Sequence, residues 1–237
     1  MDQIWENTGN SKWHKIEYTF KQKLVEIDIR GTGKKKLPLF PAIDQENYIP
    51  DELHLLLRIS DVLMECLFND LIKKKEFEKQ IKPVIEAAFK ELSIQFEFFK
   101  SVGNKWNWTS LMGPDKKKML KNFPVSQFIF GARGEDIEQL WREFYRLYSI
   151  IRQPQLSDQE IDQYKVDAEN WVRTFCRPSQ GDVNSLQKHG LYRKSDVTPY
   201  MHVFAKHIPL FMHQLKAKDL FLRICSASGI EKKTISR

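Results

Sequence analysis

The stretch YIPDELHLLLRISDVLMECLFNDLI, residues 48–72, does most to limit what this chain can fold into. Its apolar residues recur at helical spacing around most of a circumference, and a helix that greasy must be covered by other elements. Pro50 suits a helix entry, where its missing N–H costs nothing. Asp51, His54, Arg58, Asp61 and Glu65 recur at steps of three and four and form one polar stripe. Charges on a buried helix must be paired or put to use. The stripe therefore marks Asp51 and His54 as candidate site residues, because side chains three apart on a helix lie on one face and can converge on a phosphate or a metal. A plainer account of the same pair is that Asp51 favours the helix N-terminus and His54 is a hydrogen-bonded core histidine.

The rest of the chain reads as helices framed by one extended region. Residues 13–30, WHKIEYTFKQKLVEIDIR, alternate and are rich in β-branched and aromatic residues, which predicts one or two strands. GTGKKKLPLFPAID is then a loop, since a lone G-x-G followed by lysines lacks the third glycine and the strand–turn–helix setting of a nucleotide fingerprint. After residue 72, Phe77, Ile81, Val84, Ile85, Ala88, Leu92 and Phe99 mark a helical face that Pro83 kinks or divides and Gly103 stops. GPDKKKMLKNF is a short helix with Pro114 in its first turn. Residues 134–152 carry an unbroken apolar stripe from Ile137 to Ile151, and SDQE at 157–160 has the capping-box pattern. The polar segment from Cys176 to Val197 is the best linker, and a further helix begins near Thr198-Pro199. The expected organisation is residues 1–49 as strands and loop, 50–195 as an opening helix with helical additions, and 196–237 as a C-terminal helical segment.

Composition narrows the setting. No apolar run reaches the ~18 uncharged residues needed to cross a bilayer, and no secretory h-region is visible in the first thirty residues. Three scattered cysteines, Cys66, Cys176 and Cys225, argue against a disulfide framework. These features predict a soluble intracellular protein with no membrane partner. The net charge of +7 is uneven: residues 101–150 carry 8 basic and 5 acidic side chains, residues 201–237 carry 7 and 2, and residues 51–100 carry 8 and 10. Such asymmetry fits a polyphosphate partner, because lysine and arginine gain affinity by displacing counterions; a solvated basic surface explains it equally well.

Three further groups carry chemistry. Trp106 and Trp108 precede Lys116, Lys117, Lys118 and Lys121, so indole faces could stack on bases while ammonium groups meet phosphates; two packed tryptophans beside a solvated helix turn is the competing account. His202 and His207 have the spacing of the histidine half of many zinc sites. On a regular helix, five residues place them ~140° apart, so both reach one ion only if the helix is distorted, and Pro209 is placed to distort it. Near the end, Glu231 follows a Ser/Gly loop and is flanked by Lys232 and Lys233; alone, it would be no more than a favourable helix-start acid.

Taken in order, these pieces resemble the C-terminal half of a cut-and-paste transposase with an RNase H-like core, of the Transib type shared with the catalytic subunit of the V(D)J recombinase. PDELHLLL looks like the helix start that bears an acid-x-x-His pair, residues 55–195 like a helical insertion, YMHVFAKHIP like the zinc histidines, and CSASGIEKK like the loop before the last metal-binding carboxylate. The resemblance implies a mostly α fold with a small N-terminal β element and a partial RNase H-like core. It implies DNA as partner, a nuclear place of action, Mg²⁺ or Mn²⁺ at Glu231 with Asp51 and His54 nearby, and zinc on His202 and His207. Homo-oligomers are compatible with it. The family also needs a C-x-x-C and two strand-borne aspartates upstream; this chain has no C-x-x-C, and Asp28 and Asp44 are its upstream candidates. The expectation is a transposase-derived, truncated DNA-binding protein, catalytically incomplete alone. A helical nucleic-acid-binding or protein-interaction module is the alternative.

Overall fold

The computed structural model describes residues 49–181 and 188–226. The strands expected at 13–30, the loop after them, Asp28, Asp44, Glu231, Lys232 and Lys233 lie outside the described residues. What is described is mostly helical. In chain order it holds α1 (Glu52–Ile72), a π turn (Phe77–Ile81), α2 (Lys82–Glu91), β1 (Phe98–Lys100), β2 (Trp106–Trp108), α3 (Gly113–Asn122), α4 (Ala132–Ile150), α5 (Asp158–Phe175), α6 (Pro199–His202), a second π turn (Val203–His207) and α7 (Ile208–Lys216). Among the described residues no helix is long and apolar enough to cross a membrane.

The chain divides into two compact units, one comprising residues 1–55, 151–169 and 197–237, the other 56–150 and 170–196. The second unit is built around a run of rings. Trp108 meets Phe68 at 5.0 Å between centroids, Phe68 meets Phe96 at 5.5 Å, Phe96 stacks on Phe89 at 4.0 Å, Phe89 meets Phe123 at 4.6 Å, and Phe123 stacks on Trp141 at 5.9 Å. Offset and edge-on aromatic pairs add specific geometry to the area they bury. Arg142 on α4 finishes the end of α3 by donating to the carbonyls of Leu120 at 2.7 Å and Phe123 at 2.8 Å, groups that a helix terminus leaves without partners.

The helix expected to run toward Gly103 stops twelve residues earlier. Leu92 ends α2, and Ser93 takes a left-handed φ of +54°. From Ile94 the burial alternates: Ile94, Phe96 and Phe98 point inward, while Gln95, Glu97 and Phe99 are exposed. That period of two belongs to a strand. β1 pairs antiparallel with β2, with Phe98 opposite Trp108, Phe99 opposite Asn107 and Lys100 opposite Trp106. The only sheet among the described residues is therefore here, in the middle of the chain.

The described parts of the segment read as a linker, residues 176–181 and 188–196, are instead pinned down within the second unit. Leu191 and Tyr192 are buried, Tyr192 N donates to Phe175 O at 3.0 Å, and Arg133 donates to the carbonyls of Gly190 and Leu191 as well as to Asp70 at 2.7 Å. Arg177 pairs with Asp136. Polar composition misled here because backbone carbonyls and two arginines do the anchoring.

In the first unit, the early part of α5 runs antiparallel to residues 203–216. Glu169 pairs with Lys206 at 3.1 Å, Asp162 meets His213 at 3.3 Å, and Asp158 meets Lys216 at 2.8 Å. Lys216, with His213, holds the Asp158 carboxyl below the usual carboxylate range. The capping box forms as expected: the Glu160 amide donates to Ser157 Oγ at 3.2 Å, and Ser157 N donates to Glu160 Oε2 at 2.7 Å.

Candidate metal-binding histidine pair and nucleic-acid surface

Asp51 and His54 have a simple explanation. Asp51 Oδ1 accepts from the Leu53 amide at 3.0 Å, so Asp51 is the N-cap of α1. Its Oδ2 lies 2.7 Å from His54 Nδ1. His54 is exposed, so it is neither a core histidine nor part of a polar pocket. Arg58 and Glu65 are exposed as well, and Asp61 is half-buried: the stripe that looked like buried charge is the solvent face of α1. The leucine-rich remainder made the helix seem covered all round, whereas one side is open. Glu231 lies outside the described residues, so nothing described joins it to this pair.

His202 and His207 are brought together. Between them the backbone forms a π turn in which Ile208 N bonds Val203 O, five residues back, in place of the usual four. The wider turn sets residue 207 over residue 202, and the two imidazoles meet edge-on with centroids 5.0 Å apart. The cause is legible. Continued by one residue, the i→i+5 pattern would ask Pro209 to donate to Phe204 O, and proline has no N–H. Tyr164 supplies the donor, its hydroxyl bonding Phe204 O at 2.9 Å from across the unit, with its ring edge-on to Phe204 at 5.7 Å. Burial holds the Tyr164 phenol well above its ordinary pKa and so keeps it a donor. Lys206, inside the turn, is tied to Glu169. Tyr164→Phe should therefore cost about 1–3 kcal/mol, the penalty for stranding a buried carbonyl. Urea denaturation checks this; a loss below about 0.5 kcal/mol would remove the hydroxyl from the account.

The pair offers two imidazole nitrogens, which suit zinc in type but fill only half of a tetrahedral shell. Among the described residues no group of three His, Cys, Asp or Glu is arranged to hold a metal.

The lysine cluster separates into two kinds. Lys116 is 1% exposed, its ammonium donating to Leu57 O at 2.8 Å and bonding Asp61, so it cannot meet a phosphate. Burial pulls its pKa below that of an ordinary lysine, against the opposing pull of Asp61. Its position explains this: Lys116 lies on the side of α3 that faces α1, one turn before the buried Leu120. Lys118 and Lys121 are exposed, and Lys117 lies over the Tyr148 ring at 5.3 Å. Arg58, which sequence reasoning placed in the stripe and not in the cluster, stands near enough to disfavour charge on Lys116. Its place one turn before Asp61, the partner of Lys116, was the available signal.

Trp106 and Trp108 are half-buried packing residues. Trp108 lies edge-on to Phe68 at 5.0 Å, and Trp106 meets Phe77 at 5.5 Å while Lys100 covers its ring at 4.7 Å. Rings held this way hold the hairpin to the unit.

Comparison with protein-family models, with curated proteins and with solved structures finds no match to this chain.

Proposed function

We propose that this chain is a transposase-derived DNA-binding protein that contacts phosphates through Arg58 on α1 and Lys117, Lys118 and Lys121 on α3. The observation that carries the reading is the approach of His202 to His207, because that spacing suits a shared ion only on a distorted helix and the distortion is built in. Zinc, where bound, would supply a structural cross-link on the two imidazoles, which fill half of its tetrahedral shell. The RNase H-like part of the reading rests on the resemblance of the sequence alone, and the proposal covers binding, not strand cleavage. Contacts of this kind neutralise phosphates without reading bases, so affinity should be weak, insensitive to sequence and steeply salt-dependent.

Lys117→Glu, Lys118→Glu and Lys121→Glu together should abolish filter binding of duplex DNA at low salt, and Lys118→Glu with Lys121→Glu, both exposed, should weaken it with little change in thermal stability. Lys116→Glu should instead lower stability, because it sets a carboxylate against Asp61 in a buried site. Unchanged DNA affinity in the triple variant would sink the proposal. A second reading, a helical module that binds protein, is favoured by an open cleft of about 530 Å³ in the first unit, lined by Leu156, Ile161, Met212, Leu220 and Phe221 among others.

A further inference from the structure

The β1–β2 hairpin presents two unlike faces. Its inner face, Phe98, Trp106 and Trp108, is committed to Phe68 and Phe77. By register, Phe99 and Asn107 are directly opposed and point the other way. Phe99 is 47% exposed, and Val102, at the tip, is fully exposed at 104%. The tip is a defined turn. Ser101 N donates to Lys105 O at 2.9 Å, Asn104 N donates to Ser101 O at 3.0 Å, and Gly103 and Asn104 sit at φ of +86° and +60°. A chain that only needed to reverse here would not require an aromatic and a branched apolar side chain held out in water on a fixed turn.

The surroundings indicate what they meet. The segment that leads through the hairpin, residues 73–109, carries eight lysines and five glutamates, of which Glu86 accepts from Phe98 N and Glu78 pairs with Lys100. Lys105, beside the tip, has no ion-pair partner among the described residues, whereas Lys100 is spent on Glu78 at 3.0 Å and on the Trp106 ring. The Asn107 amide has no hydrogen-bond partner among the described residues. An apolar tip with a lysine beside it and an amide behind it matches the parts that architectural proteins use on duplex DNA: a wedge at a base step, a phosphate contact and a base-edge donor. A membrane surface suits it less well, since interfacial anchoring scales with buried apolar area and here only one valine stands at the apex.

We infer that the hairpin is a DNA-inserting arm, Val102 entering a base step from the minor groove, Phe99 lying against the unstacked bases and Lys105 holding the adjacent phosphate; this rests on the DNA-binding reading above. The wedge partly unstacks the step and bends the duplex, and the bend repays its cost by extending the contact.

The test uses the full chain and a duplex of about 25 base pairs carrying a dye at each end, so that affinity and bending are read together. Wild type should bring the ends closer. Phe99→Ser with Val102→Ser should bind about tenfold more weakly and no longer bend the duplex. Its thermal unfolding should change little, as Val102 is fully exposed and Phe99 about half so. Lys105→Glu should keep the bend and flatten the salt dependence by about one ion. Binding that is lost in the Lys117, Lys118 and Lys121 variant yet unaltered in the hairpin variant overturns this inference alone. No binding by wild type overturns it together with the DNA-binding reading. Binding to vesicles of phosphatidylcholine and phosphatidylserine that disappears in the hairpin variant, with DNA binding intact, assigns the tip to a membrane and also overturns it.

Discussion

Gly134→Ala should destabilise the protein by about 4 kcal/mol or more, with a fall in Tm on the order of 10 °C. The sign is the point. In the first turn of α4, helix propensity alone favours alanine by about 1 kcal/mol. A Cβ at this position, however, would sit 1.6 Å from Ile129 O and 2.7 Å from Ile129 C, with Ser126 Cα at 3.3 Å. Those are backbone atoms, and the turn that holds them cannot retreat. Glu138, one turn further along α4, accepts from both Ser126 N at 3.0 Å and Ser126 Oγ at 2.8 Å. Either α4 lifts from the 125–129 turn or the turn lets go of α4, and Val125, Phe128 and Ile129 lose their burial with it. Thermal unfolding followed by circular dichroism decides the matter, and an unchanged or raised Tm would show that the chain passes Gly134 differently.

Arg152→Met should cost about 3–5 kcal/mol, the second large effect, because it leaves a carboxylate alone in the interior. Glu52 is 0% exposed, and Arg152 Nε stands 3.2 Å from its Oε1. Neither Glu52 oxygen has a hydrogen bond, so the ion pair and the amide dipoles at the start of α1 are what compensate its charge. Glu52→Gln combined with Arg152→Met should recover most of the loss, since replacing both charges removes the burden along with its partner. The four-way comparison by denaturant titration gives the coupling directly. An Arg152→Met protein within about 0.5 kcal/mol of wild type would mean that water reaches Glu52.

These two residues also show where sequence reading stops. The long helices were legible because each repeats one apolar stripe many times: Ile137, Leu140, Trp141, Phe144, Leu147 and Tyr148 are all buried as their spacing demands. The capping box at Ser157 was legible because it is local. The hairpin was not read, although Ile94 to Phe99 alternates in plain view; a helical stripe ending at Phe99 competed with it, and phenylalanine serves either period. Lys116 was misplaced for a different reason. Composition assigns four neighbouring lysines one role, but a helix turns each through about 100°, so Lys116, facing α1, was buried, Lys117 settled over Tyr148, and only Lys118 and Lys121 stayed exposed. The histidine pair was half legible: the spacing and Pro209 stand in the sequence, while the donor that completes the turn, Tyr164, comes from 40 residues away.

The two units also divide the gene unevenly. The second unit lies wholly between codons 56 and 196, while the first draws on three separate stretches, ahead of it, within it and after it. A stop codon just past Asp196 would spare every segment of the second unit and delete the third segment of the first, including both histidines. The lysine face and the hairpin thus survive lesions that the histidine pair cannot. In a lineage accumulating stop codons, the second unit would therefore outlast the segment that carries the histidine pair.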